Sequence, residues 1–170
     1  MSKFFEKPIK NMKLLYRASE EDFSVDRFHS NCDGVKNTVV LLENEFGSVL
    51  GGYTPLSWKS TEKKEFEDDE SMESFLFSVT SGEKFPLLKP EKAISFRKDL
   101  APHFGAGCDL FINSHSKELN KKSGGVFPHS YGRKVENNDP EEDQLCLFGS
   151  PVATDFNVKN WEVFEVQFDC

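Results

Sequence analysis

The sequence predicts a mainly β fold (α+β), two antiparallel sheets packed as a β-sandwich with a few short flanking helices. Three observations carry that reading. Short β-type runs punctuate nearly the whole chain, the clearest of them alternate with a period of two, and no regular alternation of strands with long helices occurs, as a parallel doubly wound sheet would require.

The first run is Lys13 to Ala18. A short helix is expected over Ser24 to Ser30, because Ser24 is placed to cap free amides, Asp26 lies in the first turn and Cys32-Asp33-Gly34 ends it. Thr38 to Glu43 and Ser48 to Thr54 read as a hairpin across Asn44-Glu45-Phe46-Gly47, with Gly47 free to take a positive φ. Ser60 to Glu73 contains Glu65-Phe66-Glu67-Asp68-Asp69-Glu70 and reads as a solvated, mobile loop, since like charges repel and little apolar surface is present to order them. Strands resume at Ser74 to Thr80, where Phe75, Phe77 and Val79 share one side, then at Ala93 to Arg97 and Asp109 to Asn113. Gly105 and Gly107 mark a bend or bulge before the last of these. Ser114 to Gly125 reads as a surface loop, Val135 to Gln144 as a second acidic loop, and Leu145 to Gly149 as a strand. Trp161 to Phe168 closes the chain as a largely buried strand.

At 170 residues, with 37% hydrophobic content and 17 Phe, the chain has the means for one core and no linker that divides it. Residues 1–12 form a lead-in and 13–170 a single domain. The formal net charge of −8 repels polyphosphate and anionic lipid, which argues against nucleic-acid binding and membrane-surface attachment. Charges, Gly or Pro interrupt every apolar stretch, so direct membrane insertion is not expected, and the amino end lacks the apolar core of a secretory signal. Cys32, Cys108, Cys146 and Cys170 are widely spaced without a CxxC pair, which fits free thiols in a reducing cytoplasm.

Motifs that carry chemistry are missing from the sequence. Gly47-Ser48-Val49-Leu50-Gly51 has the wrong spacing for a nucleophile elbow, and Gly105-Ala106-Gly107 lacks the third Gly and the βαβ setting of a dinucleotide site. His29, His103, His115 and His129 form no HExxH pattern, a zinc site from His103, Cys108 and His115 has no template, and neither acidic run has EF-hand spacing. A peroxidatic thiolate needs a nearby basic group or a helix start. Cys32 follows the helix, Cys108 adjoins Asp109, Cys146 lies between Leu145 and Leu147, and Cys170 adjoins Asp169, so burial is the favoured reading for the first three and acidic company for the last. No catalytic or metal-binding residue is assigned.

An ordered series of blocks does stand out. Lys13-Leu14-Leu15-Tyr16-Arg17-Ala18-Ser19, Phe28-His29, Cys32-Asp33-Gly34, Phe46-Gly47 and Gly51-Gly52-Tyr53-Thr54 with Trp58 resemble the TLDc domain family of the oxidation-resistance type. Ser74-Phe75-Leu76-Phe77, Lys84-Phe85-Pro86, Phe104-Gly105-Ala106-Gly107-Cys108-Asp109-Leu110 and Trp161 to Val166 resemble its later blocks in the same order. The resemblance runs from about Lys13 to Phe168 and departs from the family at the acidic loop after Trp58 and at Asp139 to Asp143. It implies a two-sheet antiparallel sandwich, a role in oxidative-stress resistance and a protein partner, the vacuolar proton-translocating ATPase, met on the cytosolic face of endolysosomal or vacuolar membranes. It implies no cofactor and no established catalytic set; an enzyme of oxidant defence is the alternative.

The family-motif residues singled out are Gly51, Gly52, Tyr53, Trp58, Phe104, Gly105, Gly107, Asp109, Glu162 and Glu165. Each has a scaffold reading: the glycines allow close backbone approach, Tyr53 and Trp58 fill boundary positions, and Asp109 bonds a nearby amide. The functional reading makes the Phe104 to Asp109 turn and the Trp58 region a partner-facing edge. Glu162 and Glu165 fall on opposite faces of an ideal strand, so at most one faces the core.

Overall fold

Ser24 accepts the Arg27 amide at 3.3 Å and opens an eight-residue helix, as its position before an amphipathic run predicts. The computed structural model describes residues 1–113, 122–134, 139–150 and 155–169. His115, Lys117, Lys121 and Cys170 lie outside those residues, as do parts of the loops expected at 114–125 and 135–144.

A short 3-10 turn at Ser2–Phe4 precedes β1 (Ile9–Arg17), α1 (Val25–Cys32), β2 (Thr38–Asn44) and β3 (Val49–Thr54). Then come β4 (Glu65–Glu67), β5 (Phe75–Ser78), β6 (Lys84–Pro86), β7 (Ile94–Phe96), β8 (His103–Phe104) and β9 (Leu110–Phe111). The chain continues through β10 (Ser123–Gly124), α2 (Pro140–Phe148), β11 (Asp155–Phe156) and β12 (Val158–Phe168). Two six-stranded antiparallel sheets result, one in the order β1-β12-β2-β3-β5-β6 and the other β11-β10-β9-β8-β7-β4. The expected sandwich is present. The last long strand, β12, is paired on both sides, to β1 and to β2, as its apolar content anticipates.

Strand alternation divides the first sheet's side chains between two clusters. Val40, Leu42, Leu50, Leu76, Trp161 and Val163 face inward and pack with residues of the second sheet such as Ile94, Phe104 and Leu110. Val39, Tyr53, Phe75, Phe77 and Val166 point the other way, into a second cluster completed by Phe4 and, at its margin, Met1 and Phe5. The period-two pattern of Phe75 and Phe77 thus marks the outer face of the sheet, and the amino-terminal segment covers it. Val79 falls beyond β5 and is exposed. On β12, Glu165 shares the parity of Trp161 and Val163 and is half-buried, while Glu162 lies on the outer parity and accepts Arg17 Nε at 2.5 Å.

Four local readings are corrected. Leu145 to Gly149 is the carboxy-terminal half of α2 and its cap, with Gly149 at φ 79, and the acidic residues before it are its first turn. Asp139 accepts the Glu141 amide at 3.0 Å, Pro140 sits where its missing N–H is harmless, and Glu141, Glu142 and Asp143 suit the positive end of the helix dipole. A short apolar run resolves as strand or helix only by its flanks. The Ser60 to Glu73 segment is also structured: it holds β4, and buried Asp69 accepts the Ser71 and Ser74 amides at 3.1 and 2.8 Å. Ser123 and Gly124, read as loop, are buried in β10. Finally, β1 begins at Ile9, four residues before the apolar run that marks it in the sequence.

Candidate functional site

The turn joining β8 to β9 concentrates the family-motif residues. Gly105 takes φ +86, and a Cβ there would fall 1.8 Å from Asp109 Oδ2, so the carboxylate occupies the space a side chain would need. Asp109 is fully buried and accepts three successive amides, His129 at 2.7 Å, Ser130 at 2.8 Å and Tyr131 at 3.1 Å. Burial pushes its carboxyl above the usual carboxylate value, opposed by the pull of those amides. Ser130 Oγ accepts the Ala106 amide at 2.9 Å, and the Tyr131 hydroxyl donates to Ala93 O at 2.7 Å. One carboxylate therefore ties the 129–131 backbone to the turn. Ala106, Gly107 and Cys108 are left half-buried at its tip, where a Cβ at Gly107 would fall 3.0 Å from the His129 ring.

The other singled-out residues scatter. Trp58 is 1% exposed, donates from Nε1 to Thr38 Oγ1 at 3.0 Å and meets Phe104 edge-on with ring centroids 5.6 Å apart. Gly52 lies opposite Phe104: a Cβ there would fall 2.6 Å from the ring, so the glycine makes the space that lets the two sheets close. Gly51 packs against the Val40 carbonyl in the neighbouring strand. Tyr53 faces outward and donates to Asn37 Oδ1 at 3.0 Å. Gly52, Trp58 and Phe104 meet in the core; Gly105, Gly107 and Asp109 meet in the turn; Tyr53, Glu162 and Glu165 join neither group.

The family model for the TLDc domain matches residues 1–167 of the 170-residue chain. The chain belongs to the TLDc domain family. No curated protein matches it at a significant level. The match includes the amino-terminal residues that cover the outer cluster as well as the Asp109 turn.

Within this TLDc domain the cysteines correct the sequence reading in one respect. Cys32 is buried, and burial pushes its thiol up to about 12. Cys108 and Cys146 are half-buried, and each has a cation beside it: Lys64 Nζ donates to Cys108 Sγ at 3.5 Å and Arg133 Nη2 to Cys146 Sγ at 3.3 Å. Sequence adjacency misleads because the Asp109 carboxylate turns inward to backbone amides, while Lys64 arrives from 44 residues away. No motif in the sequence links these partners. Arg133 also reaches buried Asp143 at 3.1 Å and Glu142 at 3.2 Å, which fastens the start of α2 to the sandwich.

His103 donates from Nδ1 to Ala101 O at 2.7 Å, a bond that fixes the tautomer because a carbonyl only accepts. Burial, with Lys64 and Arg97 nearby, pushes its pKa down to about 4. The imidazole is therefore neutral at ordinary pH and spent on the backbone. Among the described residues no group of three or more His, Cys, Asp or Glu side chains is placed to hold a metal ion, and no helix is long and apolar enough to cross a membrane.

Proposed function

We propose that this TLDc domain is a non-catalytic binding module that supports oxidative-stress resistance by associating with the vacuolar proton-translocating ATPase on its cytosolic side. The family match over residues 1–167 carries the reading. The chemistry of the turn is in keeping with it: Asp109, Ser130, Tyr131 and His103 are committed to backbone partners, which leaves a rigid tip at Ala106 to Cys108 as a surface held by the scaffold. The working compartment in this proposal is the cytoplasm, with recruitment to endolysosomal or vacuolar membranes through the pump and no insertion of the domain itself.

The test is affinity capture from native cytosol and membranes with the tagged chain, followed by ATP hydrolysis and proton pumping with and without it. Pump subunits in the captured material and a change in either activity are expected. Neither result, with a folded bait, overturns the proposal.

An enzyme of oxidant defence is the second reading, favoured by half-exposed Cys108 with the Lys64 ammonium 3.5 Å from its sulfur. The two readings separate on a variant with Cys32, Cys108, Cys146 and Cys170 all changed to Ser. The binding module predicts pump association and oxidant survival equal to wild type in the folded variant. Peroxide turnover by wild type that disappears with Cys108→Ser alone would instead establish the enzyme.

A further inference from the structure

The amino-terminal segment covers the outer face of the first sheet, and the outer face of the second is built differently. Strand register sets Phe66, Ser95, His103 and Phe111 in one row across β4, β7, β8 and β9. Their chain neighbours Ile94, Phe104 and Leu110 belong to the inner cluster, so alternation turns the row outward. Ser95 and His103 are buried within it, whereas Phe66, on the edge strand β4, is 39% exposed.

Two ammonium groups share the Phe66 ring: Lys64 Nζ lies 5.3 Å and Lys92 Nζ 5.1 Å from its centroid. Neither has a carboxylate within ion-pair reach among the described residues. Other lysines of the neighbourhood do, Lys59 with Glu67 and Lys98 with Glu62. The remaining charges are disposed as follows: Arg97 bonds Asp99, the Asp68 carboxylate accepts the Lys92 amide at 2.8 Å, and Glu65 alternates away from Phe66 on β4. Glu91 adjoins Lys92 in sequence without pairing with it. Two like charges are thus held at one exposed ring without neutralisation, and both gain from anionic groups brought to them. Packing of the stems on the ring also restricts them beforehand, which lowers the ordering cost of binding.

We propose that Lys64, Phe66 and Lys92 form a docking surface for an acidic segment of this domain's protein partner, whose carboxylates sit on the two ammonium groups. Charge complementarity selects the occupant. In a chain of net charge −8, a short acidic segment engages these two cations locally, whereas a long polyphosphate would meet the rest of the acidic surface as well. The inference rests on the binding-module reading, because Lys64 Nζ also reaches Cys108 Sγ at 3.5 Å and so makes the surface continuous with the Ala106 to Cys108 tip.

Hexaglutamate is the probe, titrated into the full chain with backbone amide resonances followed by NMR and inorganic phosphate as the control. Shifts centred on Lys64, Phe66, Lys92 and Cys108 are expected, saturating at or below about 1 mM and weakening as salt is raised. The double variant Lys64→Gln, Lys92→Gln should bind the peptide about 10-fold more weakly. Both side chains are exposed, so the fold is kept. Wild type and variant are then compared in capture of the pump, where the variant should recover about 10-fold less. Peptide binding at these residues without pump capture by wild type would overturn the pump reading and uphold the docking surface. Equal pump capture by wild type and variant would overturn the docking surface and leave the pump reading standing. Absence of shifts at those residues up to about 5 mM peptide, or equal shifts with phosphate, would overturn it as well.

Discussion

The two hydrophobic clusters of this TLDc domain share one sheet but are closed by different means. Between the sheets, closure depends on shape: Phe104 enters the space left by Gly52, Trp58 packs edge-on to it, and the Asp109 carboxylate holds the adjoining turn. On the outer face, closure depends on a lid of a few residues, in which Phe4 packs at a tilt on Phe77 at 5.1 Å and Phe5 packs edge-on to Tyr53 and Phe75, tied down by Lys84 and by one surface ion pair. The inner cluster lies between the two sheets, with Phe104 closely fitted against Gly52. The outer one is bounded on one side by a segment that reaches it from the chain's end. The same amount of buried aromatic surface should therefore be worth different amounts in the two places.

The sharpest break is Phe104→Ala. It empties a fully enclosed site opposite a glycine, so the loss combines transfer and cavity terms, about 3–5 kcal/mol. Urea titration should show a lower midpoint with an unchanged slope. A loss below about 1 kcal/mol would mean that the inner cluster collapses around the gap, contrary to the close fit at Gly52.

The second break is electrostatic and lies on the second sheet, on the face opposite to that of Phe104. His103 stacks on Phe111 with centroids 5.6 Å apart and is held neutral by burial, its pKa near 4 in the folded chain against roughly 6.5 when unfolded. A depressed pKa gives stability that is present above the unfolded value and is lost as pH falls through the folded one, because the unfolded chain takes up a proton the folded chain refuses. The window is pH 6.5 down to about 4, and the full effect is about 3 kcal/mol. His103→Asn keeps a donor for Ala101 O and does not titrate. The stability difference between wild type and variant should thus shrink towards pH 4 in the variant's favour; a difference independent of pH would show that His103 is solvated when folded.

What was legible in the sequence follows the same division. The long elements could be read, since β2 and β3 are apolar runs on either side of Asn44-Glu45-Phe46-Gly47, β5 and β12 carry alternating apolar patterns, and Ser24 signals α1. Strands of two or three residues, such as β6, β8 and β10, have no period to read; they exist because neighbours pair with them. Leu145 to Phe148 is too short to choose between strand and helix by pattern, and the choice lies in Asp139, Pro140 and Gly149 at its ends. Of the motif residues, Asp109 was foreseeable as a backbone acceptor, but its three partners sit 20 to 22 residues away. The Lys64–Cys108 and Lys84–Phe4 contacts, across 44 and 80 residues, left no local trace at all.

The smallest effect is expected at the lid, and it separates the two clusters most directly. Phe4 is almost as buried as Phe104, at 3% against 0% exposure, so burial alone would rank the two alike. Phe4→Ala, however, leaves a gap that opens to water once the segment relaxes, so the cavity term falls away and the transfer term of about 1.5–3 kcal/mol remains. The variant should stay folded with its inner cluster intact, which amide exchange on β2 and β12 would report as unchanged relative to its global stability. It should also expose the outer face of Tyr53, Phe75 and Phe77, which an apolar dye would detect as binding absent from wild type. If Phe4→Ala instead costs as much as Phe104→Ala and uncovers no dye-binding surface, the lid is as firmly enclosed as the core and the distinction between the two clusters fails.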